Sequence, residues 1–165
     1  MAKTGIFYGS TTGVTAEVAQ MIAKKLNIAA ADVHNVANTA PSAVGPYENL
    51  ILGTSTWGAG EEQEDWLDFL DGLDAVDLTA KRIALFGCGD ETMADSFCSG
   101  VGELYKRLKH TGAYFMGSYP ADVYKFQHSE AIVDGQPVGL LLDQVNHPEL
   151  TEGRIDGWLL TMNGL

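Results

Sequence analysis

Ser10, Thr11, Thr12 and Thr15 put four hydroxyls around Gly13 and Val14 in one short turn. An apolar run, Ile6-Phe7-Tyr8, leads into the turn and ends at Gly9. A helical pattern leaves it, with apolar residues at Val18, Met21, Ile22 and Leu26, three to four apart. Strand, small polar turn and helix N-terminus together make an anion site. Free backbone N–H groups and the positive end of the helix dipole point into the turn. The hydroxyls add donors that can reach all the oxygens of one phosphate. The turn has no Lys, unlike a Walker loop, and no Gly-x-Gly-x-x-Gly, unlike a dinucleotide fingerprint. Neutral donors suit a phosphate monoester that is held and not transferred. Ser and Thr also cap helices with no ligand involved. Four hydroxyls around one glycine, directly after the first strand, favour the phosphate.

The elements that position this turn follow from periodicity. Apolar β-type runs recur at Ile6–Tyr8, Val33–Val36, Leu50–Gly53, Ile83–Phe86, Tyr114–Met116 and Val138–Leu142. Between them Trp66, Phe69, Leu70 and Leu73 have helical spacing. So do Phe97, Val101, Leu104, Tyr105 and Leu108, and again Ile155, Trp158, Leu159 and Met162. Pro41 and Pro46 keep any helix between the second and third runs short. Strands alternating with helices indicate βαβ units and a parallel sheet covered on both faces. The stretch 118–137 breaks the alternation, with Pro120, Gly135 and no amphipathic period, and splits the last strand.

The chain has 165 residues and 45% hydrophobic content, which predicts one soluble globular domain over 1–165. No apolar run is long enough for a membrane-spanning helix, and the start reads straight into a strand, so a cytoplasmic protein is expected. Cys88 and Cys98 match no zinc or disulfide spacing, and the four histidines are scattered, so no metal site is expected. Net charge is −12. No Lys or Arg lies between Leu26 and Ala80, while Glu61, Glu62, Glu64, Asp65, Asp68, Asp71, Asp74 and Asp77 crowd one short stretch. Such a surface repels nucleic acid and steers basic protein partners. A solvated helix face that serves only solubility is the alternative reading of the same acids.

These residues resemble the flavodoxins, in particular the long-chain type with an interrupted fifth strand, over nearly the whole chain. The resemblance implies an α/β, flavodoxin-like three-layer sandwich with a five-stranded parallel sheet. It also implies strand order 2-1-3-4-5 with FMN at the switch point, for which flavodoxin is itself the reference example. Three loops at the carboxyl ends of strands then hold the cofactor. The first is the turn Ser10, Thr11, Thr12, Gly13, Val14 and Thr15, for the phosphate. The second runs Gly53-Thr54-Ser55-Thr56-Trp57-Gly58-Ala59-Gly60 and covers one flavin face. Its cofactor contacts are Thr56, Trp57, Gly58, Ala59 and Gly60. The Gly58–Ala59 peptide matches the one that turns to offer its carbonyl to flavin N5–H. The third runs from Gly87 to Asp95 and grips the ring edge through Cys88, Gly89, Asp90, Met93 and Asp95, with Cys98 beyond it. Met93 stands where many flavodoxins place a coplanar Tyr, and the loop is one residue shorter.

Trp57 also speaks for itself. A large aromatic in a Gly-rich turn is placed to stack on a flat ligand. With these features beside it, the resemblance implies a low-potential one-electron carrier with non-covalent FMN. It would be a monomer with no catalytic residues of its own, passing electrons between basic reductases and acceptor enzymes that dock near Glu61–Asp77. An FMN-dependent NAD(P)H reductase on the same fold is the alternative. A phospho-acceptor receiver domain fits poorly, because strands one, three and five end in Tyr8-Gly9, Gly53-Thr54 and Leu142-Asp143.

Overall fold

A computed structural model describes residues 3–165. The chain runs β1 (Thr4–Tyr8), α1 (Val14–Leu26), β2 (Val33–Asn35), β3 (Asn49–Trp57), β4 (Glu61–Glu62), α2 (Asp65–Leu73), β5 (Arg82–Cys88), α3 (Ser99–Leu108), β6 (Tyr114–Met116), β7 (Ile132–Val133), β8 (Gln136–Pro137), β9 (Leu140–Leu142) and α4 (Pro148–Leu160). Short 3-10 turns, among them Pro41–Val44, replace a helix between β2 and β3, as the prolines require.

The main sheet is parallel, in the order β2-β1-β3-β5-β6, with β9 also on β5. Its fifth strand is in two pieces laid along one neighbour. Arg82–Ala84 pair with Tyr114–Met116, and Phe86–Cys88 pair with Leu140–Leu142. The expected order and the interrupted fifth strand are both present. Gly139 lets the second piece join, since a Cβ there would lie 2.2 Å from the Leu85 carbonyl oxygen.

Alternation along the strands separates two cores. Phe7, Leu50, Leu52, Ile83, Leu85 and Leu141 face one side, under α2 and α3 with Trp66, Phe69, Val101 and Leu104. Ile6, Ile51, Ala84, Phe86, Leu140 and Leu142 face the other, under α1 and α4 with Val18, Ile22, Ile155 and Trp158. The acidic helix α2 keeps this pattern and buries Trp66, Phe69, Leu70 and Leu73.

Two elements differ from the sequence reading. The third strand does not stop at Gly53. It runs on to Trp57 and turns back on β4, with Thr56 opposite Glu62 and Trp57 opposite Glu61. The third helix begins at Ser99 and not at Phe97, because Cys98 has a left-handed backbone (φ 51°). Phe97 has helical spacing to Val101 but packs outside the helix, 5.2 Å from the Tyr124 ring and 4.8 Å from that of Phe126. The insertion therefore closes over the segment that leads from β5 to α3.

Candidate functional site

The hydroxyl turn sits between β1 and α1. Gly13 is the helix N-cap with φ 93°, a left-handed conformation that favours glycine. No side chain caps this helix N-terminus. The Gly13 N–H donates to Ser10 Oγ at 3.1 Å, which tightens the turn. Thr12 is exposed and Thr15 is buried. The Thr15 Oγ1 atom has no hydrogen-bond partner of good geometry among the described residues, only the weakly bonding Cys88 thiol beside it. A buried polar atom left unpaired costs about 1–3 kcal/mol, and this one stands in the first turn of α1, beside uncapped N–H groups. A bound anion would satisfy it.

The second segment is a tight hairpin. The Gly60 N–H donates to the Trp57 carbonyl at 3.0 Å, and Gly58 and Gly60 have φ of 53° and 120°. Trp57 is 42% exposed. Its Nε1–H donates to Ser55 Oγ at 2.8 Å, which fixes the indole by one edge and leaves its face free.

The third segment follows β5. Asp90 accepts from the Thr92 N–H and hydroxyl and from Asn146 Nδ2. These bonds, the Thr92 hydroxyl first, hold its carboxyl below the usual range, so it stays ionised at neutral pH. Met93 projects from this turn and is 55% exposed. The loop is clamped from behind by the residues after β9. Asp143, fully buried, accepts from the backbone N–H groups of Glu91, Val145 and Asn146 and from Asn146 Nδ2. Glu91, Asp143 and His147 bring their ligand atoms within 4.8 Å of one another. The Asp143 lone pairs are already spent on these four donors, so the group is a clamp and not a cation site.

His147 Nε2 meets Glu91 Oε1 at 2.6 Å. This bond raises the His147 pKa above 6.5. Glu91 falls below 4.5, chiefly through the Lys125 N–H and then through His147. A raised imidazole pKa gives stability that is complete below 6.5 and is lost as pH rises through the folded value. A depressed carboxyl pKa gives stability that is complete above 4.5 and is lost as pH falls through the folded value. The pair therefore acts fully between 4.5 and 6.5. Thermal melts of His147→Gln should trail wild type most near about pH 5.5, between the two unshifted values, and least once pH has risen past the raised imidazole pKa. A gap that stays constant across pH would mean that the ion pair contributes nothing.

One cavity of about 200 Å³ joins the three segments. Of the residues expected from sequence, Thr12 and Val14 line it from the first turn, Thr56, Trp57 and Gly58 from the hairpin, and Cys88, Gly89, Asp90, Met93 and Cys98 from the third loop. The others lie outside the lining. Ser10 and Gly13 shape the turn, Thr15 lies beneath it, and Ala59 and Asp95 are exposed. Gly60 packs on Ser99 and Ser96. Thr11 faces a neighbouring pocket with Trp57, Glu61, Glu62, Glu64 and Leu67. Both thiols are neutral. Burial pushes Cys88 up to about 12 and Cys98 well above its ordinary value. Among the described residues no Lys, Arg or His lines the cavity.

Ser55, Ser96, Gln144 and Val145 also line it and were not in the expected set. Gln144 and Val145 follow β9, the last strand. The rule that ligands meet the carboxyl ends of parallel strands, applied to that strand as well, would have found them.

The fold and sequence match known proteins. The family model for flavodoxin matches residues 6–158. Flavodoxin 1 of Escherichia coli is 42% identical over 161 residues, 96% of this chain and 92% of its own. The flavodoxin of Synechococcus elongatus is 38% identical and covers 96% of this chain and 95% of its own. Among solved structures, the Fusobacterium nucleatum flavodoxin bound to flavin mononucleotide superposes with a TM-score of 0.87 at 33% identity, over 97% of this chain and 96% of that one. A three-loop cavity at the carboxyl ends of a 2-1-3-4-5 sheet, with an uncapped hydroxyl turn at one end, is thus found in a chain that belongs to the flavodoxin family.

Proposed function

We propose that residues 1–165 form one FMN-binding unit whose function is to carry single electrons between redox partner proteins. The observation that carries this is the cavity itself, where an uncapped helix N-terminus with an orphaned hydroxyl adjoins an exposed Trp57 and Met93. When bound, FMN supplies the one-electron chemistry. The chain supplies binding, orientation and electrostatics. The α1 N-terminus with Thr12 and Thr15 would hold the phosphate dianion through neutral donors. Trp57 and Met93 cover apolar ring surface. The Gly58–Ala59 peptide has glycine conformational freedom on one side, so its carbonyl would be free to turn and accept a hydrogen bond from the ring.

The charges set the potential. Asp90 is ionised, no cation lines the cavity, and the whole chain carries −12. Adding negative charge to the bound cofactor is opposed by Coulomb repulsion in a partly dry site, so the carrier works at low potential.

Flavodoxins are electron-transfer proteins and not enzymes, and the relatives above give no support to a reductase. No helix among the described residues is long and apolar enough to cross a membrane. The partners dock through basic surfaces on the acidic face around α2, and the carrier acts as a cytoplasmic monomer. The visible spectrum of freshly purified protein tests the cofactor directly. Flavin absorbance at one FMN per chain is expected. A colourless protein that takes up no added FMN would overturn the reading.

A further inference from the structure

We infer that Gln63 is a positioning residue for the phosphate turn, acting through the Thr11 hydroxyl; this rests on the phosphate reading above. Gln63 is 1% exposed, although it lies within the acidic run. Its backbone is tied to β3, with the N–H donating to Thr54 Oγ1 at 2.9 Å. Its amide orientation is settled by its neighbours. The Asp65 N–H can only donate, and it donates to Gln63 Oε1 at 3.0 Å. Nε2 therefore faces two acceptors, Asp65 Oδ2 at 2.7 Å and Thr11 Oγ1 at 3.0 Å. An amide NH2 has no lone pair to offer. Thr11 must accept from it, so the bond pins the hydroxyl turn at Thr11 from outside the cavity, on the side of the neighbouring pocket.

The site is built around this side chain. A Cβ on Gly9 would stand 2.4 Å from Gln63 Oε1 and 2.8 Å from the Trp66 ring, so only glycine leaves the amide room. Gly9 is itself bonded to Gly53, and the Trp66 indole donates to the same Gly53 carbonyl. Gln63 thus links the hydroxyl turn after β1 to the strand that carries Trp57. Thr11 is otherwise exposed, and an exposed threonine hydroxyl samples its rotamers freely. Asp65 holds the amide from the far side, so a carboxylate in the acidic run helps to fix the turn that cradles the phosphate.

A double-mutant cycle read with two ligands tests this. Dissociation constants for FMN and riboflavin are measured for wild type, Thr11→Val, Gln63→Met and the double variant. Gln63→Met should weaken FMN about three- to tenfold, the scale of one neutral hydrogen bond, and leave riboflavin within about twofold. In the Thr11→Val background it should have no further effect on the FMN-to-riboflavin ratio. If Gln63→Met does not fold, Thr11→Val alone carries the test: it removes the same bond from the exposed end, and FMN should weaken about three- to tenfold with riboflavin within about twofold. Equal weakening of both ligands, or single losses that multiply in the double variant, would overturn the inference alone. A wild type that binds riboflavin as tightly as FMN would remove the phosphate reading, and the inference with it.

Discussion

Thr15→Val should weaken FMN by about ten- to a hundredfold, leave riboflavin nearly unchanged, and make the apoprotein no less stable. The three results have one cause. In the structure the Thr15 hydroxyl is buried with only the weakly bonding Cys88 thiol beside it. Valine keeps the β-branched shape and removes the polar atom, so the apoprotein loses an unsatisfied group whose burial costs about 1–3 kcal/mol. The complex loses a hydrogen bond to a charged group, about 1.5–3 kcal/mol, which is the tenfold to hundredfold range. Riboflavin has no phosphate and is the control. A structural role for Thr15 predicts the reverse, with apoprotein stability falling and both ligands affected alike. Thr12→Ala is the companion. Thr12 is exposed and lines the cavity, so its removal should lower FMN affinity with no change in the apoprotein melt. Equal losses for FMN and riboflavin in either variant would mean that the turn does not hold the phosphate.

Thr15 also shows what is legible in a sequence. Four hydroxyls around a glycine mark the turn as a phosphate candidate, but only the fold shows that one of them is interior and unpaired. The strands were legible because each is a short apolar run bounded by glycine or polar residues. The split fifth strand was legible because residues 118–137 carry no period. Other features are set by tertiary contacts that have no local signature. Phe97 has the spacing of a helical residue, yet its ring is gripped by Tyr124 and Phe126 of the insertion, outside the helix. Gln63 looks like a solvated residue among acids and is instead the polar centre linking two loops. One signal was present and passed over. Asp134-Gly135, both at positive φ, join β7 and β8 in a hairpin inside the insertion, and Asp-Gly is a strong short-range mark of that turn.

Reversing Glu64 and Asp68 to Lys should slow electron uptake from a basic reductase by about ten- to a hundredfold at low salt, the scale of electrostatic steering. It should also flatten the salt dependence of the rate. Only part of the acidic run is free for a partner. Asp65 is engaged with Gln63. Asp71 and Asp74 lie 3.0 and 3.9 Å from the Arg107 guanidinium. Asp77 accepts from the Thr79 N–H. Glu64 and Asp68 are exposed and form no ion pair among the described residues. Leu67, 48% exposed, lies between them in sequence. Glu64 and Leu67 also share a pocket with Trp57, Glu61 and Glu62, so charge and apolar surface meet beside the indole. A partner docked there approaches the cavity through its exposed Trp57. Exposed charges are screened over about 10 Å at 0.1 M salt, so the wild-type rate should fall steeply as salt rises while the reversed variant hardly responds. Asp71→Lys is the internal control. It changes net charge as much per residue, but its acid already faces Arg107, and it should slow uptake far less than either Glu64→Lys or Asp68→Lys. Equal effects at all three positions would make net charge the cause. A rate indifferent to salt and to every reversal would leave the acidic run as a solubility feature, with docking carried elsewhere.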